Sequence, residues 1–131
     1  MTAHSHTTLY EIVGGGPGVR AIVEAFYPIV QEDPLISPLF PQDIRPVIES
    51  QYLFLTQFFG GPPLYSNEKG HPMMRARHMP FPIDKNKADA WLGCMRRALQ
   101  QLQMDEELQE LIITRLSGPA YHFINTENEE A

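Results

Sequence analysis

A single cysteine, Cys94, stands among 131 residues, which excludes an internal disulfide and any site built from several thiolates, and suits a reducing cytoplasm. No apolar run approaches the roughly 20 residues needed to span a bilayer, so no transmembrane helix is expected. The opening Met1-Thr2-Ala3-His4-Ser5-His6 has neither the basic region nor the apolar core of a secretory signal. Positive charge is also scarce: 10 Lys and Arg stand against 16 Asp and Glu, a net charge of −6. Phosphate backbones and anionic membranes reward clustered Lys and Arg, so neither nucleic acid nor a membrane is an expected partner. Alternating strand patterns and internal repeats are missing as well.

Apolar residues and proline are abundant. Hydrophobic residues make up 43% of the chain, too many for a disordered one. A chain of this length buries roughly two thirds of the surface it exposes when unfolded. One domain over residues 1–131 is therefore expected, with flexible tails at about 1–8 and 126–131. The 12 prolines are close to twice the background of roughly 5%. Ten of them fall between Pro28 and Pro82, and none in 47–61 or 83–118, so they punctuate connections between proline-free elements.

Four helices follow from the spacing of apolar residues. Val19, Ile22, Val23, Phe26, Tyr27 and Val30 line one face of a helix over about 17 to 32, after Gly14-Gly15-Gly16. Asp43 is the expected N-cap of a second helix that holds Pro46 in its first turn and aligns Val47, Gln51, Phe54, Leu55 and Phe58. Gly60-Gly61-Pro62-Pro63 ends it. A third starts at Asp84 with a stripe of Ala88, Trp91, Leu92, Met95, Ala98, Leu99 and Leu102. The fourth starts near Asp105, with Glu106 and Glu107 at the positive end of its dipole and Leu108, Leu111, Ile112 and Leu116 on one face. Pro119 is expected to kink or interrupt it before Tyr121 to Asn125. The fold class is all-α.

An irregular stretch from Pro62 to Pro82 separates the second and third helices, and a loop this long in a compact domain usually either has a function or is disordered. Pro72 can open a short helix there and Pro80 must end it, which puts Met74 and His78 on one face. Lys69, Arg75 and Arg77 make the stretch locally cationic. Several chemistries compete for His78. A surface or capping histidine is the plain alternative; His71, His78 and Cys94 lack zinc-site spacing; Cys94 beside an apolar stripe reads as packing rather than as a nucleophile. Haem fits best, since imidazole binds the iron, guanidiniums meet the propionates and apolar helix faces clamp the macrocycle.

Several motifs in order carry a family resemblance: Phe26-Tyr27, Pro38-Leu39-Phe40-Pro41-Gln42-Asp43, Phe54-Leu55-Thr56-Gln57-Phe58-Phe59-Gly60-Gly61-Pro62-Pro63-Leu64-Tyr65, His71-Pro72-Met73-Met74-Arg75-Ala76-Arg77-His78, and Ala88-Asp89-Ala90-Trp91-Leu92. From about Leu9 to Asn125 the sequence resembles a bacterial group II truncated haemoglobin. The resemblance implies a shortened globin whose two antiparallel helix pairs sandwich a b-type haem. It implies His78 as the proximal iron ligand, and Arg75 and Arg77 as propionate contacts. Phe54, Leu55, Tyr65 and Met74 would lie against the cofactor. On the ligand side it implies Tyr27, Gln51 and Trp91 as hydrogen-bond donors, with Phe40 against the haem face and Val47 at the distal gate. Even without the family, Gln51 among Val47, Phe54, Leu55 and Phe58 is costly to bury without a polar partner.

The resemblance implies reversible binding of O₂, and of other diatomic ligands, at ferrous haem. The alternative is a haem redox enzyme of peroxidase-like or NO-detoxifying type. The sequence carries no flavin or nicotinamide signature, so such an enzyme would need an external electron donor or reductase. A haem-free helical interaction protein is a further alternative. Monomer and homodimer both remain open. Pro28, directly after Tyr27, removes a helical hydrogen bond and disfavours αR angles at Tyr27, so a disturbance of the helix is expected there.

Overall fold

The computed structural model describes residues 8–69 and 84–122. Among them every regular element is a helix: α1 Leu9–Ile12, α2 Gly15–Glu32, α3 Arg45–Phe58, α4 Leu64–Lys69, α5 Lys85–Gln101 and α6 Glu106–His122, with a 3₁₀ turn over Ser37–Leu39. The four long helices are those expected from the apolar spacing. The described residues divide into two compact units, one of residues 8–24 and 43–69, the other of residues 25–42 and 84–122.

In the first unit, α1 is a single turn that the spacing does not predict. Thr8 caps it: its hydroxyl accepts from the Glu11 N–H, and the Glu11 carboxylate accepts from the Thr8 N–H. The Tyr10 N–H donates to the Phe59 carbonyl at 2.8 Å, which ties α1 to the end of α3. Between α1 and α2 the backbone approaches itself so closely that a Cβ on Gly18 would lie 1.9 Å from the Val13 carbonyl oxygen. Only glycine fits there. On α2, Arg20 forms an exposed ion pair with Glu49 of α3 and lies over the Tyr52 ring at 4.2 Å.

The N-cap of α3 is Ile44, one residue later than expected, and it makes no side-chain cap bond. Asp43 instead accepts from the Arg45 backbone N–H at 3.2 Å and from its guanidinium at 2.9 and 3.1 Å. Pro46 sits in the first turn as expected. The helix ends at Gly60, whose φ of +94° places it in the left-handed region, and the Gly61 N–H returns to the Thr56 carbonyl at 2.8 Å. The Thr56 side chain is fully buried and its hydroxyl has no hydrogen-bond partner among the described residues. α4 fills the start of the stretch expected to be irregular. It is pinned to α3 by Gln57, which donates to the Ser66 hydroxyl and accepts from the Ser66 N–H, both at 2.9 Å.

In the second unit, α2 continues without a break through Pro28, contrary to the expected disturbance. Proline removes the bond to the Glu24 carbonyl, but both residues are exposed, so the freed carbonyl faces solvent and the loss is tolerated. The Asp33 carboxylate then turns the chain, accepting from the Leu35 and Ile36 N–H groups at 2.8 and 3.3 Å. α5 starts at Asp84 as expected, with its carboxylate accepting from the Lys87 N–H at 2.9 Å. Ala88, Leu92, Met95, Ala98 and Leu99 of its predicted stripe are buried.

α5 packs on α6, after a turn in which Gln103 takes a φ of +58°. α6 also runs uninterrupted, through Pro119 to His122, and not as two pieces. The carbonyl that Pro119 leaves unpaired belongs to exposed Arg115. The buried face of α6 is Gln109, Ile112, Leu116 and Ala120, whereas Leu111, expected on that face, is 37% exposed. Near its end the Tyr121 hydroxyl donates to Asp89 of α5, which also pairs with Lys85 at 2.9 Å. Among the described residues no helix is long and apolar enough to cross a membrane.

Candidate functional site

In the second unit, α2 carries Phe26 and Tyr27 side by side, both buried. Their rings meet edge to face with centroids 4.8 Å apart and planes at 78°. Phe26 meets the Trp91 indole of α5 in the same manner, at 5.1 Å and 68°. Tyr27 meets Phe40, which directly follows the 3₁₀ turn, at 5.8 Å and 80°. Three of the five expected ligand-side residues, Tyr27, Trp91 and Phe40, thus share one aromatic cluster with Phe26 as an added member. The Phe26-Tyr27 pair and the helical spacing were signals for Phe26, but a buried phenylalanine reads from sequence as ordinary core.

Burial raises the Tyr27 phenol well above its ordinary value, so it remains a neutral O–H donor across the physiological range. No hydrogen bond among the described residues engages that hydroxyl, and none engages the indole N–H of half-buried Trp91. Two proton donors are therefore held by ring packing and left uncommitted. Cys94, also on α5, is buried and donates weakly to Asp33 at 3.7 Å. Burial first, and then the Asp33 charge, pushes its thiol up to about 11. It is a packing residue, as expected.

In the first unit, the other expected residues lie on α3 and α4. Val47, Gln51 and Phe54 are half-buried, and Leu55 and Tyr65 are buried. Phe54 stacks on Phe58 with centroids 5.5 Å apart and meets Tyr65 edge to face at 5.8 Å. The Gln51 amide has no hydrogen bond among the described residues. The expected short helix from Pro72 to Pro80, with Met74, Arg75, Arg77 and His78, lies outside the described residues. Among those described, no group of His, Cys, Asp and Glu could hold a metal ion.

The sequence model of the bacterial-like globin family matches residues 8–125. The chain belongs to that family. It is 47% identical over 122 residues to the group 2 truncated hemoglobin YjbI of Bacillus subtilis (strain 168), covering 92% of each protein. The group II truncated hemoglobin from Bacillus anthracis superposes with a TM-score of 0.90 at 42% identity, over 93% of this chain and 99% of the other. The truncated oxygen-avid haemoglobin from Bacillus subtilis superposes with a TM-score of 0.86 at 44% identity, over 91% of this chain and 100% of the other. The globin is thus a group II truncated haemoglobin with the 2-on-2 fold of its relatives. Membership implies haem and the binding of diatomic gases.

Proposed function

We propose that this globin reversibly binds O₂ at a ferrous haem of b type. The observation that carries the reading is the pair of uncommitted donors, the Tyr27 hydroxyl and the Trp91 N–H, set in one aromatic cluster. Tyr27 is buried and Trp91 half-buried, and no hydrogen bond among the described residues spends either donor, so both are available to a small polar ligand supplied from outside the chain. Haem, when bound, supplies a ferrous iron with an open coordination position. Within the chain, His78 is assigned to hold that iron through one imidazole nitrogen, with its other N–H bonded to fix the tautomer. Arg75 and Arg77 are assigned to the propionates, and Met74 to the cofactor's apolar surface.

Tyr27 and Trp91 hold protons that can be donated to a ligand gaining negative charge, which favours O₂ over the less polar CO. Phe40 restrains the Tyr27 ring. The assignments of Gln51 and Val47 to the ligand, and of Phe54, Leu55 and Tyr65 to the cofactor, rest on the family alone. One family match spans both units, which supports reading residues 1–131 as a single domain. A single cysteine with no second thiol to pair with agrees with a reducing, cytoplasmic setting. A Bacillus subtilis relative is described as oxygen-avid, which supports O₂ as the ligand.

A Soret band in the purified or haem-reconstituted protein tests the cofactor, and its absence would overturn the reading. Trp91→Phe tests the ligand. It should speed O₂ dissociation about tenfold or more, the equivalent of a hydrogen bond worth about 1.5–3 kcal/mol. Stopped-flow ligand replacement reads the rate, and an unchanged rate removes Trp91 from the binding site.

A further inference from the structure

We propose that Phe26 is a positioning residue that fixes the direction of the Trp91 indole N–H, and with it the relative placing of the two donors. This rests on the reading of Tyr27 and Trp91 as ligand donors. Phe26 is fully buried, and its ring meets Tyr27 at 4.8 Å and Trp91 at 5.1 Å, both edge to face. Edge-to-face contacts depend on angle, because the positive rim of one ring points at the negative face of the other. Rotating the indole would break that alignment.

The two donors differ in how they are braced. Tyr27 has ring contacts on Phe26 and Phe40, whereas Phe26 is the one aromatic partner of Trp91 among the described residues. Trp91 is also half-buried, while its helix neighbours Leu92 and Met95 are buried. Its indole is therefore less enclosed than the buried Tyr27 and Phe26 rings, and Phe26 is the one ring among the described residues that orients it. Phe26 and Tyr27 are adjacent on the same helix, so the ring that orients Trp91 is tied by backbone to the other donor. A ligand meeting both donors then finds them at a fixed separation without either having to reorient, which lowers the ordering cost of binding.

The test uses the ferrous CO complex of the haem-loaded protein, in which the one tryptophan gives a single ¹⁵N-labelled indole N–H signal. Phe26→Leu and Phe26→Met remove the ring; Met keeps most of the volume where Leu leaves a gap that could prevent folding. The indole order parameter should fall from the rigid range near about 0.85 towards about 0.6. An unchanged order parameter in a folded variant overturns the proposal. O₂ dissociation should speed about two- to tenfold in Phe26→Met, the loss expected of one aromatic pair. In a Trp91→Phe background the same change should add nothing. Equal acceleration in both backgrounds would show that Phe26 acts on the pocket generally, and would overturn the proposal. If Trp91→Phe alone leaves the rate unchanged, the donor role of Trp91 fails, while the order parameter still decides whether Phe26 holds the indole.

Discussion

Thr56 is fully buried in α3 with a hydroxyl that has no partner among the described residues, and such a group costs about 1–3 kcal/mol in lost hydration. Thr56→Val keeps the β-branched shape and removes the hydroxyl. Stability should rise by about 1 kcal/mol, seen as a higher urea midpoint at unchanged slope; a lower midpoint would contradict it. Cys94 gives a pH prediction. Its thiol lies near 9.0 ordinarily and is pushed up to about 11 in the fold, so folding retains a proton that the unfolded chain gives up. The associated stability is full below pH 9 and is lost as pH rises towards about 11. Cys94→Ala should flatten the melting-temperature profile in that window, leaving the shares from Tyr27, Tyr121 and Lys85, whose values are also raised in the fold but from higher starting points. An identical slope in the variant would refute the assignment. That Cys94 packs was legible from its place beside an apolar stripe. The isolation of the Thr56 hydroxyl was not, because it depends on neighbours distant in sequence.

At the scale of elements, Pro28 lies inside an intact α2 on an exposed position. Replacing it with alanine restores a hydrogen bond to the Glu24 carbonyl at no packing cost. Proline in a helix interior is less favourable than alanine by about 3 kcal/mol, so Pro28→Ala should raise stability by about 2 kcal/mol, part being lost to the freer unfolded chain. A lower melting temperature would refute this. The start of α5 was legible because Asp84 and the apolar stripe give the same boundary. α1 carried the signal Thr8-Leu9-Tyr10-Glu11, a capping box, but four residues are too few for periodicity to register. Prolines were misleading for one reason at both sites: local chemistry marks a lost hydrogen bond, while the packing that keeps α2 and α6 continuous is set elsewhere in the chain. The exposed Leu111 shows the same limit, since the buried face of α6 is rotated towards Gln109, Ile112 and Leu116.

For the molecule as a whole, haem binds the folded chain and stabilises it by mass action. His78→Ala should abolish haem retention through gel filtration, and the variant should melt at the temperature of the haem-extracted parent. At a haem concentration about 1,000 times the dissociation constant the difference is about 4 kcal/mol. A variant that keeps the Soret band and the parent melting temperature would remove His78 from the iron. The all-helical class and the order of the long helices were legible in the sequence, because both follow from local spacing. The candidate site was legible as residue types, through motifs spread from Phe26 to Leu92. Its geometry was not: the edge-to-face chain Phe40, Tyr27, Phe26, Trp91 joins two helices and a turn, and no local pattern encodes that. One contact also sets how this sequence can drift. Gly18, where a Cβ would meet the Val13 carbonyl at 1.9 Å, has no neutral alternatives, while exposed Pro28 on the same helix has stabilising ones. Drift is therefore closed at the glycine and open at the proline.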